Sequence, residues 1–491
     1  MPKASLPAPQ RRFLELVAEA VYLNPFGAER RELDLRLAEC SEDTPPGEVL
    51  DRVVGRVSAA VGDLEAAGLA DVRRFEGRVQ QTVQAALLFE AFHRFIDPMD
   101  AHLLEQLDAG DTPRPVPFAR EALGYLTRRG FSPAEASRFF AIFFQLRRAF
   151  YFIDRALVGR GSSMEELRRR LWNNIFGWNV GWYERHLWNR LEDFSTLLLG
   201  ETGTGKGTAA AAIGRSGFIP FDEKKGAFSE SFTRSFITLN LSEHPETLLE
   251  SELFGHRKGA FTGAVENHPG IFARCSPHGA IFLDEIGDVS IPVQVKLLQV
   301  LQERTFSPVG AHERLRFQGR VIAATNRPLD ELRAREQFRD DFYYRLCSDT
   351  ITVPPLRRRL QEDPRELEEL VGHVVRRLAG EAVPELVGFV LTVLSKELPA
   401  DYAWPGNVRE LEQAVRRILL TGHYAGETRA RNPSRSRGAA FEAGAWDAAE
   451  LLAEYCAQLY ERLGSYEEVA RRTKLDRRTV RKHVQRARGD A

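Results

Sequence analysis

Seven residues, Gly200-Glu201-Thr202-Gly203-Thr204-Gly205-Lys206, stand between a short apolar run, Thr196-Leu197-Leu198-Leu199, and an alanine-rich stretch from Thr208 to Ile213. Strand, glycine-rich turn and helix in that order let main-chain N–H groups point inward, and the helix start adds positive potential. The segment is therefore built to cradle phosphate. Lys206 is placed to reach the β and γ oxygens of a nucleotide. The common pattern has Ser or Thr after the lysine to hold magnesium; here Gly207 stands there, with Thr208 one position later. Three further short runs, Phe236-Ile237-Thr238-Leu239, Ala280-Ile281-Phe282-Leu283 and Val321-Ile322-Ala323-Ala324, alternate with helical stretches. They predict an α/β doubly wound sheet of buried parallel strands.

The run Ile281-Phe282-Leu283-Asp284-Glu285 is an apolar strand that ends in two carboxylates downstream of the loop. Asp284 is placed to hold Mg²⁺ through its water shell. Glu285 is placed to orient and deprotonate an attacking water. Loop and strand together point to ATP, with magnesium, hydrolysed at one site.

At 491 residues the chain exceeds one ordinary core and predicts roughly three domains of about 100–200 residues each. Helical spacing dominates from about 12 to 191, as in Phe13-Leu14-x-Leu16-Val17, and Ser132-Pro133-Ala134-Glu135 reads as a helix start. The aromatic run Phe139, Phe140, Phe143, Phe144, Phe150, Tyr151 and Phe152 reads as core, with a ligand pocket or a docking face as alternatives. After Pro354-Pro355 the chain is helical again up to Trp404-Pro405-Gly406, and from about Gly422 to Gly444 it has too little apolar content for a core. The expected division is 1–172 helical, 173–352 α/β, 353–421 helical lid, 422–444 linker and 445–491 helical.

Lys and Arg number 68 against 69 Asp and Glu, a formal net charge of -1, so affinity for nucleic acid has to come from a local patch. The four cysteines form no paired motif, which fits a reducing cytoplasm and no zinc knuckle. The start of the chain lacks the apolar stretch of a secretory signal. The most apolar window, Phe139 to Leu157, is broken by Arg147, Arg148 and Asp154, so no membrane span is expected.

From about Leu198 to Leu420 the sequence resembles the central domain of sigma-54-dependent activators, the bacterial enhancer-binding proteins of the AAA+ ATPase class. Glu250-Ser251-Glu252-Leu253-Phe254-Gly255-His256 leads into Gly259-Ala260-Phe261-Thr262-Gly263-Ala264, the hexapeptide that forms a sigma-contacting loop in that family. The resemblance implies an AAA+ core working as a homo-oligomeric ring of six on the sigma-54 RNA polymerase holoenzyme, with residues 1–172 as a regulatory part whose signal is unknown. It further implies roles residue by residue. Asn240 would hold Glu285 by a hydrogen bond in a nucleotide-dependent switch. Asn326, after Thr325, would read the γ-phosphate or the water. Arg339 and Arg345 would reach the ATP of a neighbouring subunit. Arg409, in Trp404-Pro405-Gly406-Asn407-Val408-Arg409, would point from the lid to the phosphates. Departures from the pattern are Gly207, an insertion of roughly ten residues at Phe221–Thr233, and a Trp-rich stretch from Trp172 to Asp193 without base-contacting residues that can be assigned.

Near the C-terminus, Ser465-Tyr466-Glu467-Glu468 reads as a capping box and Asp476-Arg477-Arg478-Thr479 opens a second helix. Between Arg471 and Arg488 stand nine Lys or Arg and one acidic residue. Val480 and Val484 would face inward, and Arg477, Arg478, Thr479, Arg481 and Lys482 would meet double-stranded DNA. The pattern resembles the Fis-like helix-turn-helix. Two other readings stay open: a DNA-binding regulator that uses ATP only as an assembly signal, and a AAA+ remodeller of some other protein.

Overall fold

The computed structural model describes residues 4–190, 193–426 and 447–488. They belong to two compact units, Met1–Tyr424 and Ala425–Ala491. Most of the expected linker at 422–444 lies outside the described residues.

In the first unit, β1 (Thr196–Leu199), β2 (Phe236–Asn240), β3 (Ala280–Asp284), β4 (Arg320–Thr325) and β5 (Asp349–Thr352) form one parallel sheet in the order β2-β3-β4-β1-β5. The first four are the expected apolar runs. The fifth is an edge strand paired only to β1, with Ile351 as its one fully buried side chain among polar neighbours, so it lacks the apolar signature of the central strands. Register sets Asn240 beside Asp284 and Leu199 beside both Thr325 and Thr352. The C-terminal ends of the strands thus share one edge, from which the phosphate loop, Glu285 and Asn326 emerge.

Alternate side chains divide the sheet between two cores. Leu198, Phe282, Ile322, Ala324 and Ile351 pack with helix Lys206–Gly214 and with the N-terminal helices. Leu197, Ile281, Leu283, Val321 and Ala323 pack with helix Ile291–Glu303 on the opposite face.

The N-terminal part is helical as expected, and Ser132 and Glu135 form the capping box that starts helix Pro133–Ala156. The expected boundary at 172/173, however, falls inside helix Ser162–Phe176. Its apolar stripe runs through the boundary, from Leu167 and Leu171 to Trp172, Ile175 and Phe176, all buried. The N-terminal helices and one face of the sheet therefore share a single core.

The aromatic run is core, and its packing partner is the insertion. Residues 221–233 begin as a small hairpin, Phe221–Asp222 against Ala227–Phe228. Phe228 stacks on Phe144 at 4.5 Å, and Phe221 meets Phe140 edge-on at 5.0 Å. The hairpin turn also accepts a main-chain bond, from the Val116 N–H to the Gly226 carbonyl at 2.8 Å.

The lid comprises helices Leu356–Glu362, Glu366–Ala379, Pro384–Glu397 and Asn407–Thr421 around Val371, Val390, Trp404, Leu411 and Val415. The second unit holds helices Ala448–Leu463, Tyr466–Thr473 and Arg477–Arg488 around Cys456, Leu459, Val469, Val480 and Val484. The capping box expected at Ser465 is not formed: its hydroxyl donates to Glu467 at 3.3 Å and accepts no main-chain N–H. The box in this unit is one helix earlier, between Asp447 and Glu450. Among the described residues no helix is long and apolar enough to cross a membrane.

Candidate nucleotide-binding site

The phosphate loop takes the shape that its glycines permit. Gly203 and Gly205 have φ of +80° and +103°, and Gly205 leads directly into helix Lys206–Gly214. Lys206 is largely buried at the head of that helix, and its ammonium donates to the carbonyls of Gly200 at 2.9 Å and Glu201 at 3.2 Å. Burial pushes the lysine below its ordinary range, and the carboxylates of Glu285 and Asp284 oppose that shift.

Across the loop, β3 delivers Asp284 and then Glu285, which has φ +58°, a left-handed conformation costly for a residue with a side chain. That turn swings the Glu285 carboxylate toward Asn326, whose N–H it accepts at 3.4 Å. Burial raises the Glu285 carboxyl above the usual glutamate range, with Lys206 as the main opposing influence. The Asn326 amide donates to the Thr202 hydroxyl at 2.7 Å, so it joins β4 to the phosphate loop.

The lid closes the third side. Arg409 N–H donates to the Gly203 carbonyl at 3.3 Å. A Cβ on Gly203 would sit 2.3 Å from the Gly406 carbonyl, so only glycine admits the lid this closely. Two further residues, not anticipated from sequence, complete the clasp. Asn407, fully buried with φ +54°, donates to the Thr202 carbonyl and to the Glu201 carboxylate, each at 3.1 Å, and accepts from the Leu356 N–H at 2.8 Å. Arg357 grips Glu201 with two bonds of 2.7 and 2.6 Å. Farther along the same lid helix, Arg359 donates to the Val158 carbonyl at 2.7 Å, and Glu362 accepts from the Ser163 N–H at 2.8 Å. The segment 158–163 therefore leans on the lid as well. The tolerance of Asn for left-handed backbone was the one available hint, at Asn407.

Asn240 is not bonded to Glu285. Its carbonyl oxygen accepts from the Ser242 N–H and hydroxyl at 3.1 and 2.9 Å, and its amide donates to Glu243 at 2.9 Å. A local turn of this kind competes well with a long-range bond.

The hexapeptide loop projects from the same domain. Gly259 N–H donates to the Ala264 carbonyl at 2.8 Å, and the positive φ values of Gly259 and Gly263, +82° and +101°, let the chain reverse. Phe261 is 37% exposed, Thr262 is exposed, and the Phe261 ring lies edge-on to His256 at 4.9 Å. The loop base is braced by residues 309–313: Arg257 N–H bonds the Val309 carbonyl at 3.0 Å, Arg257 pairs with Glu313, and Gly310 lies against Ala260.

Residues 186–352 match a family described as the Sigma-54 interaction domain. The segment is thus similar to that domain. Similar curated proteins include the transcriptional regulatory protein ZraR of Klebsiella oxytoca, 43% identical over 237 residues, which are 48% of this chain and 49% of that protein. The Nif-specific regulatory protein of Azotobacter vinelandii is 43% identical over 46% of this chain and 40% of its own length. GlrR of Escherichia coli is 40% identical over 46% and 47%. The chain thus spans about half the length of the curated relatives it matches.

Within the matched segment the two candidate finger arginines lie on or beside helix Asp340–Leu346. Both are exposed and bonded locally, Arg339 to Asp341 at 2.7 Å and Arg345 through Nε to the Leu301 carbonyl at 2.9 Å. Neither is bonded to the phosphate loop of its own chain. Gly207 and Thr208 are exposed in the first turn of the phosphate helix, and a Cβ on Gly207 would meet nothing within 4 Å. The missing side chain after Lys206 is therefore not excluded by crowding.

The second unit presents Arg477, Arg478, Arg481 and Lys482 as exposed side chains, with Val480 and Val484 buried beneath. Asp476 caps that helix by accepting from the Arg478 N–H at 2.7 Å, and it also holds the Thr479 hydroxyl. Thr479 is thus committed to the cap, and Arg477 is paired to Glu467 at 2.6 Å.

Proposed function

We propose that the chain is an ATP-driven transcription activator of the cytoplasm that remodels the sigma-54 RNA polymerase closed complex. The observation that carries the reading is the convergence of Lys206, Asp284, Glu285, Asn326 and the Arg409 segment on one phosphate loop, in a domain that also exposes Phe261 and Thr262. Lys206 and the main-chain N–H groups of Gly203 to Thr208 bind the triphosphate. Glu285 orients the attacking water and takes its proton, a task suited to a carboxyl held above its usual range.

Asp284 suits a magnesium site. It is half-buried at the strand end and spends Oδ1 on the Glu285 N–H at 3.0 Å, which orients the carboxylate. The metal, when bound with ATP, supplies neutralisation of phosphate charge. Arg339 and Arg345 act on the ATP of the next subunit in a hexameric ring, where a guanidinium stabilises charge spreading over the γ-phosphoryl group. The Gly259–Ala264 loops bear on sigma, and Arg477, Arg478, Arg481 and Lys482 hold upstream DNA.

The test is hydrolysis measured across protein concentrations, followed by open-complex formation on a sigma-54 promoter. Turnover per subunit that rises with concentration, and promoter opening that requires ATP, are the expected results. Binding of ATP without turnover would favour the assembly-signal reading. Turnover without promoter opening would point to another protein target.

A further inference from the structure

Helix Pro133–Ala156 meets the far end of the phosphate helix. Arg148 is wholly buried and its guanidinium donates to the carbonyls of Arg215 at 2.7 Å and Gly217 at 2.8 Å. Gln145, equally buried, takes the carbonyl between them, donating to Ser216 at 2.9 Å while it accepts from the Tyr183 hydroxyl at 2.8 Å. These carbonyls follow the helix that begins at Lys206, where main-chain acceptors lose their intrahelical partners and the negative end of the helix dipole lies.

The choice of residue is informative. A buried guanidinium whose hydrogen-bond partners are all neutral carbonyls, with the Glu230 carboxylate only partly offsetting its burial, costs stability relative to an apolar side chain of similar shape. Here the rings of Phe144 and Phe232 lie 5.1 and 5.5 Å from it, one from the N-terminal part and one from the insertion. Mere adhesion between the two parts would be served by the surrounding phenylalanines alone. Arg148 and Gln145 add directed bonds to one target, the end of the phosphate helix. That helix has nine residues and is roughly 14 Å long, short enough to move as a rod.

We propose that the N-terminal helical part controls nucleotide binding from behind the phosphate loop, with Arg148 and Gln145 as positioning residues that act through the carbonyls of Arg215, Ser216 and Gly217. The inference rests on the reading of Gly200–Lys206 as an ATP site. With helix Pro133–Ala156 seated, the phosphate helix is held at its far end, while Asn407 and Arg409 hold the loop at its head. The seated arrangement is the one competent to bind, so a signal that shifts helix Pro133–Ala156 lowers nucleotide affinity. The N-terminal part is then an activator of the motor and not a repressor that deletion would relieve.

The experiment uses full-length protein and titration with a fluorescent ADP analogue, alongside amide exchange over 206–217 and thermal melting. Arg148→Met is expected to weaken binding about tenfold and to speed exchange in that segment, and Arg148→Lys to restore part of both. Arg147→Met is the control, because Arg147 pairs with Asp100 inside the N-terminal part. It should bind as the wild type does. Folded Arg148→Met with wild-type affinity overturns the inference, as does equal weakening in Arg147→Met. Wild-type protein that binds no nucleotide would instead overturn the ATP-site reading beneath it.

Discussion

Asn407 of the lid donates to the Thr202 carbonyl of the phosphate loop at 3.1 Å while its own carbonyl oxygen accepts from the buried Leu356 N–H at 2.8 Å. One side chain thus ties the head of the lid to the loop and satisfies a main-chain donor that water cannot reach. Asn407→Ala removes three bonds and leaves that donor alone. The expected loss is about 2–3 kcal/mol in denaturant unfolding of the first unit, together with weaker nucleotide binding. A loss below the error of the measurement would mean that the clasp contributes nothing to the fold.

Glu285 is expected to show opposite effects on stability and turnover. Burial raises its carboxyl, so its contribution to stability is complete below the ordinary glutamate pKa and is lost as pH rises through the raised folded value. Glu285→Gln should therefore melt above wild type near neutral pH, with the gap closing in acid. Hydrolysis should be lost and ATP retained. A gap independent of pH would contradict the burial of this carboxyl.

Thr262 is exposed at the tip of the hexapeptide loop and bears no load in the core. Thr262→Ala should leave melting within about 0.5 kcal/mol of wild type and spare hydrolysis, yet abolish open-complex formation. Gly310→Ala acts on the brace. Its new Cβ would lie 2.7 Å from the Ala260 Cβ at a backbone φ of +76°, so the loop has to shift. Promoter opening should fall more than ATPase rate, which the two assays together report.

Arg481 and Lys482 are exposed above the buried Val480 and Val484. Arg481→Ala should lower the slope of log affinity for DNA against log salt by about one if it contacts phosphate. If it reads a base edge, discrimination falls instead. Val484→Asp should unfold the second unit, visible as lost helical signal. Arg481→Ala with unchanged DNA binding would remove this helix from the interface.

Much of the α/β part is legible in the chain because its pattern is local. A phosphate loop needs its glycines and lysine within seven residues, and the three central strands, Thr196–Leu199, Ala280–Asp284 and Arg320–Thr325, announce themselves because burial on both faces demands unbroken apolar runs. Of the two edge strands, Phe236–Asn240 keeps an apolar run and was legible, whereas Asp349–Thr352, polar at three of its four positions, was not. The hexapeptide likewise carries its own turn geometry in Gly259 and Gly263.

Local sequence determined which segments are strand, helix or phosphate turn, since main-chain sterics and side-chain period act over a few residues. Tertiary structure alone decided the partners. Arg148 reads in the chain as a charge interrupting an apolar helix, and only packing against residues 215–217 makes it wholly buried. Asn240 turned to Ser242 and Glu243 and away from Glu285, and Glu201 found Arg357 across 156 positions. Periodicity specifies that a face is covered. The identity of the cover depends on how distant segments compete for the same donors and acceptors.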